Sequence, residues 1–440
     1  VADIYNNYLS TLNGIAVTRY QKGVTVMYPT DVSPLTSMLD LESGQRLGLQ
    51  YQFALDLTYD DSTTMAAAGA GAFGFNDTAP GQMLPALVNS SNYHQRGVID
   101  YETIARTADG NGPASGALES AVDRMIFRLN TGLAANLEID FWYGGTNIGV
   151  IGSVLVGTGG NGVPVGQARI QFTNASFAPR LFVGRKGSRY DCYQIGATGR
   201  PTATKRNANA ALVQFALDID NRYLYVTGNS TDLAALAAGD GLLKFGSYGN
   251  GTQGMDYVMT SAGTTLYNID TTQYDLMQAN TKDNGGLAIT LKRLYSHISN
   301  SISKGMGVEG VDVWCNPDTF ADLLANETIL RRYSEAGGTA SNGFRSLTYD
   351  SQVGKMTFMP WAGIKRGEMF IGPTKSTCSK VGAQEPNLLN FDSSGFNSQY
   401  LKPQEGKAGC EAQKYGNLGF VNKMPAFWTK VSNIVNETNG

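Results

Sequence analysis

The sequence predicts a mixed α+β chain built as a flat, extended body. Three stretches carry that reading. Residues 47 to 59 alternate apolar and polar side chains without a break. A helix of about 29 residues, at 1.5 Å per residue, runs on from Ser115. A glycine-rich β-segment then occupies about 168 to 262.

Taken in order, the first 46 residues are weakly periodic and hold Pro29 and Pro34, which suits an extended arm. Next, Leu47, Leu49, Tyr51, Phe53, Leu55, Leu57 and Tyr59 alternate with Gly48, Gln50, Gln52, Ala54, Asp56 and Thr58. Period two means one apolar face on one strand, reaching about 40 Å at ~3.3 Å per residue. The segment "DDSTTMAAAGAGAFGFNDTAPGQM" is mostly small residues, and a second extended stretch follows from about Asn92 to Thr107. The unit reads as a long two-stranded arm with a soft tip. A lone hairpin is marginal in water, so it must lie on its own body or on a neighbour.

In the long helix, Leu118, Val122, Met125, Leu129, Leu133, Leu137 and Phe141 recur at spacings of three and four. Ser115 is the expected N-cap and Gly144-Gly145 the stop. From 168 to 262, "ALVQFALDID", "RYLYVTG" and "GLLKFGS" read as short strands of a small barrel or sandwich. "NGGLAITLKRLYSHISNSIS" reads as a helix with Leu287, Leu291, Leu294, Ile298 and Ile302 on one face. "VDVWCNP" is a buried strand, with Asn316 capping a helix that has Pro317 at its first position. "MTFMPWAGIKRGEMFIGP" gives two strands around a turn, and "NLGFVNKMPAFWTKVSNIV" a last strand region.

Composition narrows function. Charged residues are 16% of the chain, against about 25% in ordinary globular proteins. Polar Asn, Ser, Thr and Gly cover part of the surface, and burial against other subunits would cover the rest. The net charge of −3 and the lack of a basic run argue against tight nucleic-acid binding. No apolar run approaches the ~18 residues of a membrane span. The start, "VADIYNNYLSTLNG", lacks the regions of a signal peptide. Cys192, Cys315, Cys378 and Cys410 form no C-x-x-C pair, so zinc is not expected and a reduced, intracellular chain is. Triplets such as Asn89-Ser90-Ser91 then carry no glycosylation meaning.

No catalytic, cofactor or metal residue stands out. His94 and His297 are the two histidines, too few for most histidine-based sites. Asp218 and Asp220 could share a strand face, but solvated strand carboxylates are far commoner than catalytic pairs. "IGSVLVGTGGNG" places Gly157, Gly159 and Gly162 at dinucleotide-fingerprint spacing. That fingerprint needs a following helix and an acidic residue about 20 positions on. Here Pro164 and Gly166 oppose a helix, "ARIQF" reads as a strand, and no Asp or Glu occurs between Gly162 and Asp191. A glycine loop between two strands is the expectation, with no cofactor.

The order of parts resembles the major capsid protein of tailed double-stranded DNA bacteriophages. This is the Hong Kong ninety-seven type capsid fold, shared with the herpesvirus capsid floor. The resemblance rests on the arm, the long hairpin, the helix ending "EIDFWYGG", and the later "VDVWCNPDTFADLL" and "MTFMPWAGIKRGEMFIG". It implies an N-terminal arm at 1–46, an E-loop at 47–113 and the spine helix of a peripheral domain at 114–145. It further implies an axial domain at 146–375 carrying an inserted β-rich subdomain at about 168–262. C-terminal strands at 376–440 would return to the peripheral domain. The implied function is an icosahedral shell around double-stranded DNA, made in the bacterial cytoplasm and not enzymatic. Implied partners are further copies in hexamers and pentamers, a portal, a scaffolding protein and a decoration protein, with no membrane. No long charged helical segment precedes Val1, so scaffolding is expected to be a separate chain. Some capsids of the family cross-link through an arm lysine. Here no lysine occurs between Lys22 and Lys186, and no cysteine before Cys192, so a non-covalent shell is expected. A secreted or surface β-rich structural protein, adhesin-like, is the alternative; it fits the Gly/Asn/Thr content but not the missing signal peptide or the three strong helices. An enzyme is the third reading.

Overall fold

The computed structural model describes residues 26–436, apart from 28, 32, 43–44, 48–49, 62, 70, 73, 76, 104–120, 160–161, 308–309, 326–346, 352–353, 392–399 and 405. Residues 1–25, most of the expected N-terminal arm, and the expected cap Ser115 and Leu118 lie outside them.

The long helix is Ala121–Tyr143. Met125, Leu129, Leu133, Leu137 and Phe141 are buried along one side, as their spacing requires. Each such side chain contributes about 1.5–3 kcal/mol. The helix stops where expected. The Gly144 N–H still bonds to Asp140 O at 2.7 Å, and Gly145 turns to φ +75°. Gly144 has no room for a side chain, since a Cβ there would lie 2.3 Å from Thr252 O.

The helix lies on a five-stranded sheet of Leu41–Glu42, Cys378–Leu388, Gly409–Asn422, Lys402–Pro403 and Ser91–Asp100. Gly97 lets the two surfaces close, because a Cβ there would meet the Met125 side chain at 2.9 Å. The short helix Pro34–Met38 is tied to the long one by Glu138. This fully buried carboxylate accepts from Leu35 N at 2.9 Å, Thr36 N at 2.8 Å, Thr36 Oγ1 at 2.6 Å and Trp142 Nε1 at 2.9 Å.

The arm departs from expectation. Its first strand is Gln50–Asp56, and Gln45–Leu47 folds back on it antiparallel, with Leu47 opposite Gln50. The alternation counted through Gly48, which is turn chemistry. The returning strand is Met83–Asn89, not the stretch from Asn92 to Thr107. Ser91–Asp100 instead pairs along Gly409–Asn422, from Ser91 opposite Leu418 to Asp100 opposite Gly409. One residue, Ser90, separates the two roles.

A seven-stranded antiparallel sheet closes on itself. Leu212–Asp218, Tyr223–Thr227, Gln167–Phe172, Gly149–Val156, Gly241–Lys244 and Arg189–Ile195 form a ring, sealed where Leu212 meets Tyr190, and Pro201–Lys205 adds a flap. Ile170, Phe172, Leu224, Val226 and Leu242 fill it. The barrel therefore opens at Gly149 rather than 168. Gly149 and Gly152 had broken the pattern of its first strand.

A third, mixed sheet of six strands runs in the order Asn280–Leu287, Thr429–Ile434, Met369–Gly372, Val311–Cys315, Gly354–Pro360 and Leu347–Ser351. Residues 280–287 are thus a strand, and Leu287 is 50% exposed rather than on a helix face. The helix begins at Leu291, where Thr290 Oγ1 accepts from Arg293 N. Gly354–Pro360 and Met369–Gly372 do not pair with each other but flank Val311–Cys315, one parallel and one antiparallel. Asn316 caps Pro317–Ala325 as expected, its Oδ1 accepting from Asp318 N at 3.1 Å. The final strand, Thr429–Ile434, joins this sheet and not the one under the long helix.

Candidate functional site

Two regions concentrate unusual chemistry: a buried charged junction and the tip of the arm.

At the junction, Lys430 lies on the last strand, Asp256 on the short helix Met255–Met259, and Glu368 just before Met369–Gly372. Lys430 Nζ donates to Asp256 Oδ1 and, at 2.9 Å, to Glu368 Oε1. Lys365 Nζ stands 3.8 Å from Glu368 Oε1 and 4.3 Å from the Tyr143 ring centroid. Its backbone N–H donates to Tyr143 OH at 3.0 Å. Burial opposes the charge on Lys430, but the two carboxylates more than offset it and raise its pKa. Burial would likewise raise Asp256, yet Lys430 and Lys365 hold it below the usual carboxylate range. Two cations and two anions balance here. The end of the long helix is thereby fastened to the six-stranded sheet. Such a group is rigid and charge-satisfied, which suits a fastening rather than a reaction centre.

A second polar contact holds the helix to the sheet beneath. Tyr93 OH donates to Asp140 Oδ2 at 2.5 Å. Nearby, burial and then Arg185 pull the Lys244 ammonium down to about 7, against the opposing pull of Asp140.

The arm is the opposite kind of region. Its root is packed: Tyr51, Ala86 and Val88 share a core with Leu133 and Leu137. Leu87 N donates to Tyr267 O at 2.9 Å, and the Phe53 and Tyr267 rings meet at 6.2 Å. Beyond Asp56 opposite Met83 the regular ladder ends; among the described residues Leu57 N donates to Gln82 O at 2.9 Å, Gln82 N to Thr58 Oγ1 at 2.7 Å, and Asp61 bridges Ala79. There Tyr59 is 95% exposed and Met65 89%. Large apolar side chains this exposed mark a contact surface when they cluster.

The other candidates resolve into structure. Gly157, Gly159 and Gly162 sit in the turn between two barrel strands. Gly157 is required because a Cβ there would lie 1.9 Å from Pro164 O. Asp218 ends a strand and accepts from Asn221 N and Nδ2, while Asp220 lies in the following turn. His94 meets Gln413 Oε1 at 3.1 Å and His297 meets Asn284 Oδ1 at 3.2 Å. All four cysteines are buried and unbridged, and burial pushes the Cys315 and Cys378 thiols up to about 12. Among the described residues, no three His, Cys, Asp or Glu are grouped to hold a metal, and no helix is long and apolar enough to cross a membrane. Sequence reading missed Glu138 and the Lys430 junction. Apart from Trp142 and the Lys365–Glu368 pair, their partners lie far apart in the chain, and local spacing does not announce those.

No family model matches the chain, and no curated protein matches it. Solved structures do. One chain of the cyanophage A-1(L) capsid asymmetric unit aligns at TM-score 0.52 and 9% identity, covering 95% of this chain and 97% of that one. The capsid structure of the cyanophage P-SCSP1u aligns at TM-score 0.45 and 9% identity, covering 96% and 94%. The first likeness carries the assignment of fold. Over nearly its whole length, this mixed α+β chain resembles a phage capsid protein of the Hong Kong ninety-seven type.

Proposed function

We propose that the chain is the structural subunit of an icosahedral shell enclosing the double-stranded DNA of a tailed phage, and that it is not an enzyme. The observation that carries this is likeness to a capsid chain over 95% of this chain and 97% of that one. The arm supports it, because an apolar tip held out from the body asks for a neighbour.

In this reading the hairpin Gln50–Asn89 is the E-loop and Ala121–Tyr143 the spine helix. The five-stranded sheet belongs to the peripheral domain and the six-stranded sheet to the axial domain. The barrel from Gly149 to Lys244 is the insert. The N-terminal segment to residue 46 is an arm anchored at Glu138. Copies associate as hexamers and pentamers; a portal, a scaffolding protein and a decoration protein complete the particle, which forms in the host cytoplasm. Mild negative charge suits a wall that encloses DNA without gripping it. Nothing supports the adhesin-like alternative.

Electron microscopy of the purified chain tests this. Closed megadalton shells are the expected result. Elongated monomers or small globular oligomers under all assembly conditions would contradict it.

A further inference from the structure

The fastening at Lys430 has the parts to make itself permanent. Lys430 Nζ donates to Asp256 Oδ1 and to Glu368 Oε1, so one amine bridges two carboxylates. The side chains of Lys430 and Asp256 are 9% and 5% exposed, and that of Glu368 15%. The Phe370 ring centroid stands 5.7 Å from Nζ, and Tyr143, Phe370 and Trp428 are buried. Water is therefore scarce around the pair. Lys205–Asp191, Lys380–Glu385 and Lys423–Glu42 differ, since each leaves at least one partner 30% exposed or more.

Glu368 adds a second observation. Its Oε2 is buried, and among the described residues it meets no donor within hydrogen-bond distance. A proton placed on that oxygen displaces no existing bond, so the carboxyl can pass through its neutral form. Burial also opposes the charges of Lys430 and Asp256. The ion pair is the resting form. Moving its shared proton from Nζ to Oδ1 discharges both groups at once and leaves an amine against a neutral carboxyl. An uncharged buried lysine is a nucleophile, and the contact supplies the proximity.

We propose that Lys430 and Asp256 join in an isopeptide bond within the chain, with Glu368 carrying the proton that the reaction must move. Nζ attacks Cγ of the protonated Asp256. Glu368 takes a second proton from Nζ and passes it to the Asp256 hydroxyl. The Nζ–Cγ bond forms, a Cγ–O bond breaks, and one water leaves. The third proton stays on the amide nitrogen, and no oxidant or cofactor is consumed. Charge still balances afterwards, because Lys365 and Glu368 remain as one cation and one anion, 3.8 Å apart. The event occurs once per chain and turns nothing over, so it adds a bond rather than an activity. It makes covalent the tie between the short helix Met255–Met259 and the last strand, Thr429–Ile434. It links no two copies and does not depend on the shell reading.

Mass spectrometry of the full-length chain under denaturing conditions tests it. The intact mass should fall one water, about 18 Da, below that of the sequence. Digestion should release one branched peptide joining Asp256 to Lys430. Glu368→Gln keeps the size of the side chain but cannot take the proton, and should slow linkage about 100-fold. Lys430→Arg keeps the positive charge but not the nucleophile, and should show the full mass and no branched peptide. An unaltered chain at full mass, a water loss that maps elsewhere, or linkage as fast in Glu368→Gln as in the unaltered chain would overturn the proposal. None of these results bears on whether the chain forms shells.

Discussion

Lys430 and Tyr59 occupy opposite extremes of the same chain. Lys430 is 7% exposed, with Asp256 and Glu368 on its ammonium and Lys365 beside them. Tyr59 is 95% exposed towards the tip of the arm. Every charge at the junction has its counter-charge within the chain, while Asp56, Asp60, Asp61 and Asp77 share the arm with no lysine or arginine. The difference separates two tasks. In the proposed shell, interactions completed inside the chain stabilise the subunit, and those left incomplete are available to hold copies together.

That division can be attacked by mutation, starting where the effect on stability is largest. Lys430→Ala leaves Asp256 and Glu368 buried without their main cation. We expect a loss of about 3–5 kcal/mol, read by denaturant unfolding of the unassembled subunit. A loss below about 1 kcal/mol would mean the junction is not the fastening described. Glu138→Gln keeps the shape but turns one acceptor oxygen into a donor facing the N–H groups of Leu35 and Thr36. About 1–3 kcal/mol should follow, with proteolysis now reaching residues 34–38.

Lys244→Met should have a smaller, pH-dependent effect. Burial holds the Lys244 pKa near 7 in the fold, while an unfolded lysine titrates near ~10.4. The unfolded chain therefore binds more protons between these values, and stability rises with pH across them. Removing the amine should raise the melting temperature by up to about 2 °C at pH 6. The gain should fade as pH rises from 7 towards 10. A gain that is the same at both ends would remove Lys244 from the account. Smallest of all on stability, deleting 62–78 should change unfolding by less than about 0.5 kcal/mol, since none of the described residues there belongs to the core. The same deletion should abolish shells. A deletion variant that melts normally and still assembles would erase the contrast.

Much of this was legible from periodicity. The long helix, its glycine stop, the Asn316-Pro317 cap and the strand Val311–Cys315 follow from local spacing, because burial of one face dictates it. The arm was legible as an arm but not in its register. Period two fits any extended stretch, so it cannot say that Met83–Asn89, and not Asn92–Thr107, returns beside Gln50–Asp56. The barrel's first strand was hidden by Gly149 and Gly152, and the strand Asn280–Leu287 by Gly285 and Gly286 beside an amphipathic helix. The junction was not legible at all. Asp256, Lys365, Glu368 and Lys430 are ordinary surface-type residues until three elements bring them together.

Hydrogen exchange of residues 56–83, compared between free subunit and assembled particle, tests the division most directly. In the free subunit, amides beyond the Asp61–Ala79 bridge should exchange fast, while those of Thr429–Ile434 should be slow. Assembly should slow the arm's amides by about 100-fold or more and leave the junction's unchanged. An arm that exchanges equally fast in subunit and particle would contradict the claim that it is completed by a second copy.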